Sequence, residues 1–157
     1  MIHIEKSPTA DTRTCDWKTV SEDQLWRASV THISDVQSGL AWFAEQLERA
    51  GQVHDADKLT RSKQFHADFQ TGFKRHEWWD NHRKVNRHHI DKPDGVPVDV
   101  NLIDVLEHIV DCVMAGMARS GSVYDLHLPG DLLETAFQNT AKLLKAQVRV
   151  KDGEGAA

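Results

Sequence analysis

Residues 53–60 read VHDADKLT, placing His54 beside Asp55 with Asp57 and Lys58 in the next three positions. An imidazole next to a carboxylate offers two metal-ligand types, one suited to transition metals and one to harder cations. A lysine one turn later adds a cation. The same stretch would also serve as an ordinary polar helix start. A site here therefore needs further ligands from elsewhere in the chain.

Two other clusters offer them. In WWDNHRKVNRHHID, residues 78–91, His82, His88 and His89 alternate with Arg83, Lys84 and Arg87. Imidazoles suit zinc, manganese, iron, cobalt or nickel. These histidines exceed what one four-ligand site needs, so a second ion bridged by the Asp55 carboxylate is an expectation. Arg83 and Arg87 could hold phosphate oxygens, and solvated surface is their other fate. Trp79, with Trp78, could wall a base-stacking pocket or simply fill the core. The second cluster is DVNLIDVLEHIVDCVMAGMA, residues 99–118. There Asp104, Glu107, His108 and Asp111 fall at i, i+3, i+4 and i+7, on one face of a helix. A solvent-facing acidic stripe would explain them. Two details point instead to a bound cation: carboxylates stack one or two turns apart on one face, and the stripe continues through the small residues Ala115 and Ala118.

The elements that must position these residues read as helices. Ser21 and Gln24 match a capping box, and the helix they start runs to about Ala50, before Gly51 and Gln52. On it His32 shares a stripe with Leu25, Val36 and Phe43, which predicts a buried histidine that is hydrogen-bonded or bound to something. A second helix starts at or after HDADK and carries Phe65, Phe69 and Phe73. Residues 90–99, IDKPDGVPVD, form a loop. Residues 99–119 form a helix ended by SGS, and a last helix runs from about Asp131 to Val148. The expectation is an all-α, single-domain bundle of five to six helices over residues 20–149. Residues 1–19 read as irregular, with a short extended piece at IHIE, and 150–157 as a flexible tail.

Composition limits the function classes. The chain has 157 residues, 39% hydrophobic and 27% charged, with ten histidines spread through its length. No apolar run approaches the roughly 18 residues of a membrane span, and the first residues lack a signal-peptide pattern. Cys15 and Cys112 stand far apart, as in a reduced, cytoplasmic protein. A formal charge of -5 gives no pull toward duplex nucleic acid or anionic membrane. There is no GxSxG elbow, Walker A loop or GxGxxG.

The ordered set His32, His54-Asp55 and a downstream helical aspartate resembles the H…HD…D pattern of the HD-domain metal-dependent phosphohydrolases. HDADK is similar to that superfamily's HDxxK form, with Lys58 in the lysine position. NRHH resembles the extra histidines of members that bind two or more metals. Together with Glu107 and Asp111, the set is also similar to a small HD-like family common in bacteriophage genomes. The resemblance spans roughly residues 25–118. It implies an HD-like all-α fold and one or two divalent ions (manganese, cobalt, nickel, iron, zinc or magnesium). The implied ligands come from His32, His54, Asp55, His82, His88, His89 and Asp111. Asp104 and Asp111 both fit the last ligand position, and the phage-type pattern favours Asp111. Lys58, Glu107 and Asp104 would carry the catalysis; Arg83, Arg87 and Trp79 would face the substrate. That substrate would be a small nucleotide, hydrolysed at a phosphate ester or anhydride. The other reading is a non-catalytic, metal-containing nucleotide-binding or inhibitor protein. Either leaves room for a homo-oligomer.

Overall fold

The computed structural model describes residues 1–7 and 9–152. Among these residues six α-helices and two short strands follow in the order β1 (Ile2–Lys6), α1 (Glu22–Val53), α2 (Ala56–Thr60), α3 (Ser62–Phe69), α4 (Glu77–Val85), α5 (Leu102–Ser120), α6 (Leu132–Gln147) and β2 (Val148–Asp152). The chain is mostly helical, as the patterning predicts. It divides into two units, one of residues 1–45 and 143–157 and one of residues 46–142.

In the first unit β1 and β2 pair in parallel, with Ile2 opposite Val148 and Ile4 opposite Val150. The strand β2 is a correction: the helix ends at Gln147 rather than Val148, and residues 148–152 are extended rather than a loose tail. Alternating β-branched residues in VRV favour that state. The remainder of the expected tail, residues 153–157, lies outside the described residues. Helix α1 starts as its capping box requires: the Gln24 backbone N–H donates to Ser21 Oγ at 3.2 Å, and the Ser21 N–H donates to Gln24 Oε1 at 3.1 Å. Glu22 and Asp23 in the first turn complement the helix dipole.

The stripe expected to bury His32 is exposed. Leu25 and Val36 are open to solvent, and so is Trp26. The His32 side chain is 46% exposed, with Nδ1 3.1 Å from Asp11 Oδ2. At the surface His32 thus has the Asp11 carboxylate and solvent for partners, and burial imposes nothing further on it.

The second unit begins inside α1. That helix continues through Gly51 to Val53, because a glycine weakens a helix without obliging it to stop. The stop comes at Asp55, which takes the left-handed conformation at φ 52° and precedes α2. The expected Phe-bearing helix is broken at Arg61 into α2 and α3. Phe73 lies beyond α3, with φ 59°. Its ring nevertheless joins Phe65 and Trp78 in one aromatic cluster, with Phe65 and Trp78 centroids 4.5 Å apart.

Helix α5 is held at both ends. The Asn101 side chain accepts from Ile103 N at 2.9 Å, and Asp104 Oδ2 accepts from Asn101 N at 2.9 Å. Gly121, at φ 71°, supplies the left-handed residue that closes it. Ile90, Val100, Val105, Leu132 and Ala136 form the core of this unit. Thr140 on α6 ties in by accepting from Leu102 N at 2.8 Å. The loop between α4 and α5 folds back so closely that a Cβ at Gly95 would overlap the His89 carbonyl oxygen. That close approach holds the His88–His89 segment in place. No helix among the described residues is long and apolar enough to cross a membrane.

Candidate metal centre

The break between α1 and α2 sets the geometry. His54 follows the last residue of α1, and the left-handed Asp55 turns the chain so that its carboxylate enters the second unit's interior. A non-glycine residue in this conformation stores strain, which persists where surrounding contacts hold it. Asn86 provides such a contact, its Oδ1 accepting from the Asp55 backbone N–H at 3.1 Å.

Four imidazoles gather around Asp55. Its Oδ1 lies 3.3 Å from His82 Nε2 and 3.7 Å from His88 Nε2. Its Oδ2 lies 3.6 Å from His54 Nε2 and is paired with the Lys58 ammonium. His89 Nε2 sits 2.8 Å from His82 Nε2. Two sets of potential ligand atoms result, His54–Asp55–His88 and Asp55–His82–His89, each with its atoms within 4.8 Å of one another. These partly buried His/Asp groups can hold a metal ion, and Asp55 belongs to both.

The other ring nitrogens face carboxylates. His82 Nδ1 is 3.0 Å from both oxygens of Asp57. His54 Nδ1 is 2.9 Å from Glu107 Oε1. A carboxylate accepting from Nδ1–H fixes the tautomer with a lone pair on Nε2, the usual outer arrangement of a metal-bound histidine. His88 Nδ1 lies 2.9 Å from the same Glu107 oxygen but is not directed for a hydrogen bond. Both ring nitrogens of His88 and Oδ1 of Asp55 are buried without a hydrogen-bond partner. Such orphaned atoms are costly unless something else occupies them. The donor set can therefore hold a metal ion.

Electrostatics agree. Burial, then the neighbouring His88 and His82, pushes the His89 imidazole down to about 3. Burial also lowers His82, against the pull of Asp57. Neutral imidazole is the ligating form. Burial opposes ionisation of Asp55 and Glu107, yet both stay below the ordinary carboxylate range. For Asp55 the Lys58 ammonium, together with His54 and His82, outweighs burial, and for Glu107 the neighbouring His88 and His54 imidazoles together do so.

The remaining sequence candidates fall in different places. Asp111 Oδ1 stands 3.7 Å from His54 Nε2, partly exposed at the edge of the first set. Trp79 packs on the histidines, with its ring centroid 5.4 Å from that of His82. Asp104, expected near a metal or water, is instead engaged by Arg87, which donates from Nε and Nη2 at 2.8 and 2.9 Å. A carboxylate that already caps α5 and accepts a bidentate guanidinium has little capacity left. Arg87 also reaches Asp99 at 3.0 Å, and Arg83 is paired with Asp94 at 2.8 Å. Neither arginine is free for phosphate in this arrangement. His32 belongs to the other unit and faces Asp11.

Two residues here carry roles that the sequence reading did not assign. Asp57 supports His82, and Asn86 donates to Asp57 Oδ1 at 2.9 Å while accepting from Asp55 N. Both sit inside the quoted motifs, in HDADK and NRHH, but the spacing of short polar residues gives no sign of which partner they take.

Comparison of the chain with protein-family models, curated proteins and solved structures returns no match.

Proposed function

We propose that the protein is a divalent-metal-dependent phosphohydrolase whose centre is built on Asp55. The observation that carries this reading is one carboxylate shared by two adjacent ligand sets, with four imidazoles around it. A metal pair sharing a carboxylate supplies a water activated near neutral pH and charge neutralisation for a transferring phosphoryl group. The chain's own residues would do the rest. Glu107 and Asp57 orient the His54 and His82 imidazoles. Lys58, paired with Asp55, would meet a phosphoryl oxygen. Asp111, partly exposed beside His54, is placed to accept or return a proton at the mouth of the site. The motif resemblance to HD-domain phosphohydrolases points to nucleotides as the first substrates to try.

Burial favours a second reading. His82 and His88 are fully enclosed, at 0% exposure each, as in metal sites that serve structure alone. A non-catalytic metal-containing nucleotide-binding or inhibitor protein would have this property. Turnover separates the two. The metal-loaded chain is assayed for phosphate release from a nucleotide panel with Mn²⁺, Co²⁺, Ni²⁺, Zn²⁺ and Mg²⁺ in turn. Release that depends on Asp55 and Lys58 supports the hydrolase; retained metal without release supports the binder.

A further inference from the structure

A groove of about 520 Å³ opens beside His54, between the C-terminal end of α1 and the middle of α5. One end is polar, with His54, Glu107 and Asp111. Away from it the walls are Leu47, Ala50, Leu106, Val110 and Met114. Leu47, Leu106, Val110 and Met114 are all exposed, at 39 to 65%. Among the described residues, no lysine or arginine lines the groove. Its size is that of a small-molecule site, and an apolar cleft ending in a few polar groups is the usual form of one.

Charge decides what fits. A polyphosphate laid along this groove would meet two carboxylates and no cation. A nucleobase would leave its polar edges unpaired against aliphatic walls. An uncharged apolar group loses nothing there and removes exposed leucine, valine and methionine surface from water.

We infer that the groove takes the organic part of a phosphate ester that is uncharged and apolar, aliphatic in character, with its phosphate directed past the polar end to the cation that the His54–Asp55–His88 set would hold. This deepens the phosphohydrolase reading, putting an aliphatic ester in place of a nucleotide as the substrate class, and rests on that reading for the role of the polar end. The binding of the apolar part is tested apart from turnover.

Only Met1, Met114 and Met117 are methionines, so methyl-labelled methionine gives a three-signal NMR spectrum. Methyl-, butyl- and hexylphosphonate are titrated into the full chain, metal-free and zinc-loaded, following the Met114 methyl signal. The groove predicts affinity rising about three- to fourfold per added methylene, in both states, with Met1 and Met117 little moved. Val110→Gln and, separately, Leu47→Gln should flatten that gradient while zinc content stays at the wild-type level. A gradient in the metal-free protein supports the groove even where no phosphate ester is hydrolysed, so the two readings fail separately. Equal affinities across the series overturn it, as does a deoxynucleoside triphosphate that saturates the Met114 shift below the hexylphosphonate concentration. A Met114 shift that follows protein concentration, with a doubled mass by light scattering, would assign the face to a second copy of the chain and also overturn it.

Discussion

Oδ1 of Asp55 lies 3.3 Å from Nε2 of His82, inside a unit where the histidine is wholly enclosed and the oxygen has no hydrogen-bond partner. With Asp57 accepting from Nδ1–H, His82 would present the Nε2 lone pair toward a carboxylate oxygen. Two electron-rich atoms at that separation repel unless a cation, or a proton on Nε2, lies between them. The four histidines, Asp55 and the supporting acids are most simply arranged around a cation.

Asp57→Asn keeps the shape of the side chain but gives His82 Nδ1 a weaker, uncharged acceptor. Loss of such a supporting carboxylate typically weakens metal affinity about 10- to 100-fold. We expect that loss in a chelator-competition titration, with an unchanged helical circular dichroism spectrum. An unchanged affinity would leave Asp57 as a helix residue only.

Lys58→Ala separates charge stabilisation from metal retention. The lysine contacts Asp55 but belongs to neither ligand set. Metal content should hold, while turnover of the best substrate falls about 10²- to 10³-fold, the usual loss for one charge-stabilising contact. Full activity in Lys58→Ala would exclude a phosphate-side role.

Arg87→Ala should act on stability. It leaves the Asp104 carboxylate, 4% exposed, without its guanidinium. Breaking a buried pair from one side costs about 3–5 kcal/mol, and Arg87 is 40% exposed, so solvent screening lowers this to about 2 kcal/mol. A lowered denaturant midpoint with wild-type metal content is expected. A KM defect without loss of stability would instead return Arg87 to the substrate.

Much of this was legible in sequence where the signal is local. Ser21 and Gln24 announce α1, because capping partners sit three residues apart; the same spacing in Asn101 and Asp104, which cap α5, was passed over because Asp104 read as a candidate for the site. His54-Asp55 and His88-His89 stood out because metal-ligand types recur at short range. Partner choice is less readable. Asp104 and Asp111 share a helical face, yet Asp104 turns to Arg87, 17 positions away, while Asp111 reaches His54. The β1–β2 pairing joins positions 2 and 148, and no local pattern encodes a register over that separation. His32 misled because helical periodicity predicts a shared face, while burial depends on what covers it.

The central claim is that Asp55 is common to two metal positions. Crystals of the full chain soaked in manganese or zinc, with data collected at the metal's absorption edge, test it directly. We expect two anomalous peaks about 3.5–4 Å apart, one bounded by His54 and His88, the other by His82 and His89, with Asp55 between them. The same soak of Asp55→Ala should show neither. Anomalous peaks elsewhere in the chain, or none at Asp55 in metal-saturated protein, would contradict the account.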